Sequence, residues 1–232
     1  HVFYNNNLNT LQYFLSHDLL PQLAVDKPLS DEEQKCLWEI LQARDENFTP
    51  GLYYTYQNGN IQLFKIFLDF LSKIYSQLPE KMEHLFWITL RAKHPEDKTG
   101  LFMSCQLNHH TLIKVFLDFL LQKYSGFSEK SKNRALKLVE AKRGDGVSAL
   151  FIACQNGNHQ TVKAILDFLL KIYSHTPEKM KNLFWDILSA KTKAGIPGLY
   201  IACEKGYHEV ITVFLDFLLK IRSQVSDQWK NR

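Results

Sequence analysis

A 49-residue period runs through this chain and constrains its fold more than any other feature. A leucine opens each unit at Leu52, Leu101, Leu150 and Leu199, and an LDFL core begins at Leu68, Leu117, Leu166 and Leu215, with no residue gained or lost between copies. Self-similarity at a fixed period of this size predicts a stack of supersecondary units, each burying its apolar face against its neighbours. The register divides residues 1–232 into a single array: a worn N-terminal copy at 2–50, units at 51–99, 100–148 and 149–197, and an incomplete unit at 198–232. Phe3 and Trp38 mark the first copy, being 49 residues before Leu52 and Trp87. Asn6 and Asn7 stand there where later copies are small or apolar, as expected of a cap with one wet face.

Each full unit reads as three helices, so the expected class is all-α. The first is short, as in Ala149 to Asn156, and stops at Gly59, Asn108, Gly157 or Gly206, residues that enter the left-handed conformation at low cost. The second, from about Gln160 to Tyr173, carries Val162, Ile165, Leu166, Leu169 and Ile172 at helical spacing. Pro79-Glu80, Ser128-Glu129 and Pro177-Glu178 announce the third, and Ser30-Asp31 does so in the first copy, after a second helix over 8–20.

Recurring polar residues have structural readings. Asp69, Asp118, Asp167 and Asp216 lie four residues from lysines such as Lys65, Lys114, Lys163 and Lys220, which makes them i,i+4 pairs. Cys105, Cys154 and Cys203 share one repeat position and read as small core residues, while Cys36 stands apart and no pair has metal-ligand spacing. Trp38, Trp87 and Trp185 share another position and read as core. Arg44, Lys93, Lys142 and Lys191 follow the third helices, where a helix dipole favours cations. Stacked, they would also offer a positive ridge to an acidic partner.

Net charge of +4 is too slight to indicate nucleic acid, and the longest apolar runs fall well short of the roughly 20 residues a membrane helix needs. No cofactor, metal site or membrane span is expected. The one basic cluster that breaks the repeat is Lys130, Lys132, Arg134, Lys137, Lys142 and Arg143. It makes electrostatic binding of an acidic partner, nucleic acid or an anionic membrane the alternative function. Ser104 and His109-His110 are the non-repeated candidates for catalysis, but no orienting partner accompanies them, so the chain is read as a non-enzyme or as a non-catalytic part of a larger enzyme.

The segment GVSALFIACQNGNHQTVKAIL, Gly146 to Leu166, resembles an ankyrin repeat, with Leu150, Ala153, Cys154, Gly157, Val162, Ile165 and Leu166 on signature positions. GLYIACEKGYHEVITVFL, Gly198 to Leu215, matches nearly as well; Thr55, Ser104 and Tyr56 depart from the family's alanines. The family's histidine position is aromatic here, at Tyr53, Phe102, Phe151 and Tyr200. The resemblance implies an ankyrin-like α-solenoid with an extra helix per repeat, the period exceeding the family's by 16 residues. It implies protein binding through the first helices, at Gln57, Gln106, Gln155 and Glu204, and through the tips before them, at Asp97, Lys98, Asp145 and Lys193. Long, divergent repeats of this texture resemble those of effectors that intracellular bacteria such as Legionella and Coxiella deliver into host cells. That resemblance implies a host protein partner and a cytoplasmic location, reached by secretion into the host.

Overall fold

In the computed structural model, described for residues 41–75 and 82–224 together with Ser30, Glu32, Lys35, Trp38 and Glu39, the ordered elements are helices. The earlier part of the first copy, including Asn6, Asn7, the stretch 8–20 and Cys36, lies outside the described residues, as do Pro79-Glu80. The chain divides into two compact units, up to Gly100 and from Leu101.

The first unit contains α1 (Gly51–Asn58), α2 (Ile61–Tyr75) and α3 (Glu83–Arg91). Leu63, Phe64, Phe67, Phe70, Leu71 and Ile74 form the buried stripe of α2, recurring at the three- and four-residue intervals that keep side chains on one helix face. Tyr56 of α1 is fully buried, its ring 4.8 Å from that of Phe64 and its hydroxyl donating to the Leu90 carbonyl at 3.0 Å. Phe86, Trp87 and Leu90 bury α3, and the Trp87 indole N–H donates to Glu83 at 2.9 Å.

The second unit repeats the pattern with α4 (Gly100–Gln106, whose first residue closes the preceding unit), α5 (His110–Tyr124), α6 (Glu129–Glu140), α7 (Ala149–Gln155), α8 (His159–Ile172), α9 (Lys181–Ser189), α10 (Gly198–Glu204) and α11 (His208–Arg222). Helix α8 packs between α5 and α11, α7 packs on α10, and α6 on α9. Leu166, Leu169 and Phe168 of α8 are essentially inaccessible, each contributing about 1.5–3 kcal/mol by removal from water. The third helices start differently according to their caps. The Ser128 hydroxyl accepts from the Ser131 amide at 3.2 Å and opens α6 at once. Pro177 offers no such acceptor, and a 3-10 turn at Glu178–Met180 precedes α9.

Left-handed residues turn the chain in columns set by the repeat. Gly59, Asn108, Gly157 and Gly206 have φ between 59° and 71°, the geometry expected after each first helix. Asn108 also fills a polar role, since its Oδ1 accepts from the hydroxyl of fully buried Thr161 at 3.0 Å. Asn108→Gly therefore relieves a small backbone cost yet strands that hydroxyl, at about 1–3 kcal/mol. We expect a net loss of about 1 kcal/mol by urea unfolding, largely absent when Thr161 is first replaced by Val. The second column is Ala92, Ala141 and Ala190, with φ from 34° to 45° directly after α3, α6 and α9. Each methyl is buried to 3% exposure or less, which offsets the left-handed cost.

Candidate functional site

Beyond each of those alanines, and beyond Ala43 at the same repeat position, the chain makes the same short hairpin-like turn. In the first unit Asp45 N–H donates to the Thr49 carbonyl and His94 N–H to that of Lys98; in the second, Arg143 N–H reaches Val147 and Thr192 N–H reaches Ile196, all at 2.8–3.1 Å. The tip residue is left-handed every time: Phe48, Asp97, Gly146 and Gly195.

Within the second unit these tips and the ends of the first helices are tied into a row. The Lys193 ammonium donates to the Gly144 carbonyl at 3.3 Å, Asn156 Nδ2 to the Gln106 carbonyl at 3.2 Å, and Lys205 Nζ to the Gln155 carbonyl at 2.9 Å. Asn158 Nδ2 adds a deeper bond to the Cys105 carbonyl at 2.9 Å. Each bond joins residues about one repeat apart, so the row is set by the 49-residue register. Gln106 and Glu204 stand exposed on it and Gln155 is half-buried. Asp145 and Lys193 sit at its turns. The Arg143 guanidinium beside Asp145, helped by the Val147 amide, holds that carboxyl down at about 2.

The first unit carries Gln57, half-buried near the end of α1, and a turn in which Asp97 pairs with Lys93 and Lys98 with Glu96 at 2.9 Å. Its other turn holds a residue that sequence reasoning passed over. Phe48 is 72% exposed on a left-handed backbone, where later copies place Asp97, Gly146 and Gly195. A bulky residue rarely adopts that conformation. An aromatic side chain in a column of turn formers was the available signal.

Basic residues of the third-unit cluster are only partly available. Lys142 pairs with Glu140, and Arg143 pairs with Asp145 while lying over the Phe102 ring at 5.4 Å. Lys132 lies 5.7 Å from the Tyr124 ring, Arg134 is half-buried on α6, and Lys130 and Lys137 are exposed. The Asp column is ion-paired where the second unit shows it, Lys114 with Asp118 at 2.8 Å and Lys163 with Asp167 at 2.7 Å. These pairs flank a groove of about 240 Å³ between α5 and α8, also lined by His110, Leu117 and Phe168. Ser104 is fully buried and His109 and His110 are half-buried. Among the described residues no three His, Cys, Asp or Glu side chains gather as a metal site would require, and no helix is long and apolar enough to cross a membrane.

The shared cysteine position splits. Cys105 and Cys154 are fully buried, but Cys203 is exposed on α10, correcting its reading as a core residue: among the described residues no further helix stacks on it. Burial pushes the Cys154 thiol up to about 12, and burial together with the nearby Cys154 raises Cys105 further still. Between about pH 9 and 12 the folded chain keeps protons that the unfolded chain releases. Its stability is therefore complete below about pH 9 and declines as pH rises through that window. We expect the urea midpoint to fall between pH 8 and 10.5, with a slope that flattens when Cys105 and Cys154 are replaced by Ala. A thiol reagent followed by peptide mass mapping should label Cys203 in the native protein, and Cys105 and Cys154 only after unfolding.

The described residues define a helical repeat protein. No family model matches the chain, and no curated relative matches it. Among solved structures it aligns with a chain of the crystal structure of the yeast ribosomal protein Rps3 in complex with its chaperone Yar1. Identity is 20%, the TM-score is 0.42, and the alignment covers 82% of this chain and 95% of that one. At that score the likeness assigns neither a finer fold nor a function.

Proposed function

We propose that this chain is a non-enzymatic scaffold for protein binding, an ankyrin-like α-solenoid with a third helix in each repeat. The observation that carries this reading is the row of first-helix ends and hairpin turns in the second unit. It is laced together at one-repeat intervals through Gln106, Gln155, Gly144 and Lys193 while leaving Gln106 and Glu204 open to solvent. Such a row presents different side chains on one fixed backbone at regular spacing, which suits an extended partner surface. The inaccessible Ser104 and the pairing of the recurrent Asp column with lysines favour binding over catalysis. The repeat texture further supports an effector acting on a host protein in the host cytoplasm.

The test is capture from eukaryotic cell lysate on the immobilised chain, with nuclease treatment and a salt series. A specific protein retained through both, lost with Gln106→Arg plus Gln155→Arg and kept with Lys130→Glu plus Lys137→Glu, is the expected result. Capture that depends on Lys130 and Lys137 and vanishes with nuclease or modest salt would instead identify an electrostatic binder of acidic partners.

A further inference from the structure

The first unit holds a surface of its own, where the repeat is broken in one direction. A groove of about 190 Å³ opens beside α3, its walls made by Leu41, Pro50, Leu52 and Ile88 and its rim by Arg44, Arg91 and Lys93. No acidic residue lines it among the described residues. Ile88 is 47% exposed. The equivalent positions two repeats later are Asp186 for Ile88 and Ser189 for Arg91, and the repeat between them has Glu140 for Arg91. Duplication accounts for the cation shared at Arg44, Lys93, Lys142 and Lys191. It does not account for this copy alone combining an exposed isoleucine with an additional arginine.

The adjoining turn adds an aromatic residue. Arg44 Nη1 donates to the Phe48 carbonyl at 2.7 Å, which anchors the exposed Phe48 next to the rim. Glu46 stands exposed on the same turn, but Asp45 and Asp97 are already engaged. Asp45 accepts from the Tyr54 hydroxyl at 2.5 Å and from the Asn47 and Thr49 amides at 2.9 Å, and Asp97 pairs with Lys93. Arg91 is exposed on the last turn of α3.

We propose that this groove docks an acidic peptide segment in which carboxylates alternate with apolar side chains. An apolar side chain of the partner covers the exposed Ile88 while its neighbouring carboxylates meet Arg44 and Arg91. Arginine is suited to this because its planar fork binds a carboxylate through two hydrogen bonds. Rim charges orient the segment and hasten its arrival, and the apolar contact slows its release.

The experiment uses the full chain and a fluorescein-labelled twelve-residue peptide of alternating Glu with Leu or Phe, followed by fluorescence anisotropy. Two control peptides replace either every Glu by Lys or every Leu and Phe by Gly. Binding of the first peptide alone is expected, weakened about tenfold or more by Arg44→Glu with Arg91→Glu and similarly by Ile88→Asp. Gln106→Arg with Gln155→Arg should leave it unchanged, which separates this site from the row in the second unit. All of these side chains except Gln155 are exposed, and circular dichroism checks that each variant is folded. Equal binding of the glycine control, or affinity unaffected by the Arg44 and Arg91 changes, would overturn the proposal, as would no binding of any peptide.

Discussion

Gly100→Ala is expected to destabilise the chain by about 2–3 kcal/mol, an unusual cost for one methyl group. A Cβ placed on Gly100 would lie 2.1 Å from Cδ2 of Tyr56 and 2.6 Å from its Cγ. That ring cannot swing aside, because it is fully buried, packs on Phe64 and is tethered by its hydroxyl to the Leu90 carbonyl. The same repeat position is alanine at Ala149 and glycine at Gly198, and the 49-residue register puts Cys105 and Cys154 at the position that Tyr56 holds here. A Cβ on Gly198 would meet the Cys154 sulfur at 3.1 Å, a tight contact that a shift of a few tenths of an ångström relieves. Gly198→Ala should therefore cost less than about 1 kcal/mol. Tyr56→Cys combined with Gly100→Ala should cost well below the sum of the single changes, since the two sites share one space. Urea midpoints of the four variants decide the matter. Equal shifts for Gly100→Ala and Gly198→Ala would show that Tyr56 does not fill that space.

The second large effect concerns one repeat position seen in two settings. Leu117 and Leu166 are 3% and 1% exposed, whereas the equivalent Leu215 on α11 is 52% exposed. Truncation of either buried leucine to Ala is expected to cost about 2–5 kcal/mol, the range that such cavities produce. Leu215→Ala should cost less than about 1 kcal/mol. Thermal or urea unfolding of the three variants reads the difference directly. A cost at Leu215 comparable to that at Leu166 would mean that its side chain is covered in solution. Leu219, at 69% exposure, and Tyr200, at 57%, belong to the same uncovered side, while Leu170 and Phe151 hold their positions one repeat earlier, half-buried and buried.

Much of the fold is legible in the sequence because its signals are local. Helix positions follow from apolar spacing, and the turn after each first helix follows from Gly59, Asn108, Gly157 and Gly206, whose φ values are those the turn needs. The alanine turns were not legible. Ala92, Ala141 and Ala190 have no intrinsic taste for a left-handed backbone, and they hold it because their methyl groups are buried by neighbouring elements. Lengths of the third helices were legible only in part, since Ser128 and Pro177 look alike as helix starters but only a hydroxyl can cap.

The candidate sites divide in the same way. Gln106, Gln155 and Glu204 could be named from a repeat position alone. That the carbonyls of Gln106 and Gln155 would accept from Asn156 and Lys205 of the following repeat required the fold. The groove of the first unit was out of reach, because Arg44 and Arg91 lie 47 residues apart and only packing brings them to one rim.

By itself the sequence determined the 49-residue register, which is a comparison of the chain with itself, and, in the described units, the order of helices and the glycine turns, which depend on residues a few positions apart. Tertiary structure alone decided which member of each repeated set is covered: Cys154 but not Cys203, Leu166 but not Leu215, Phe151 but not Tyr200. The physical reason is that burial belongs to a residue's neighbours. Identical positions in a duplicated chain are distinguished only by what stacks against them.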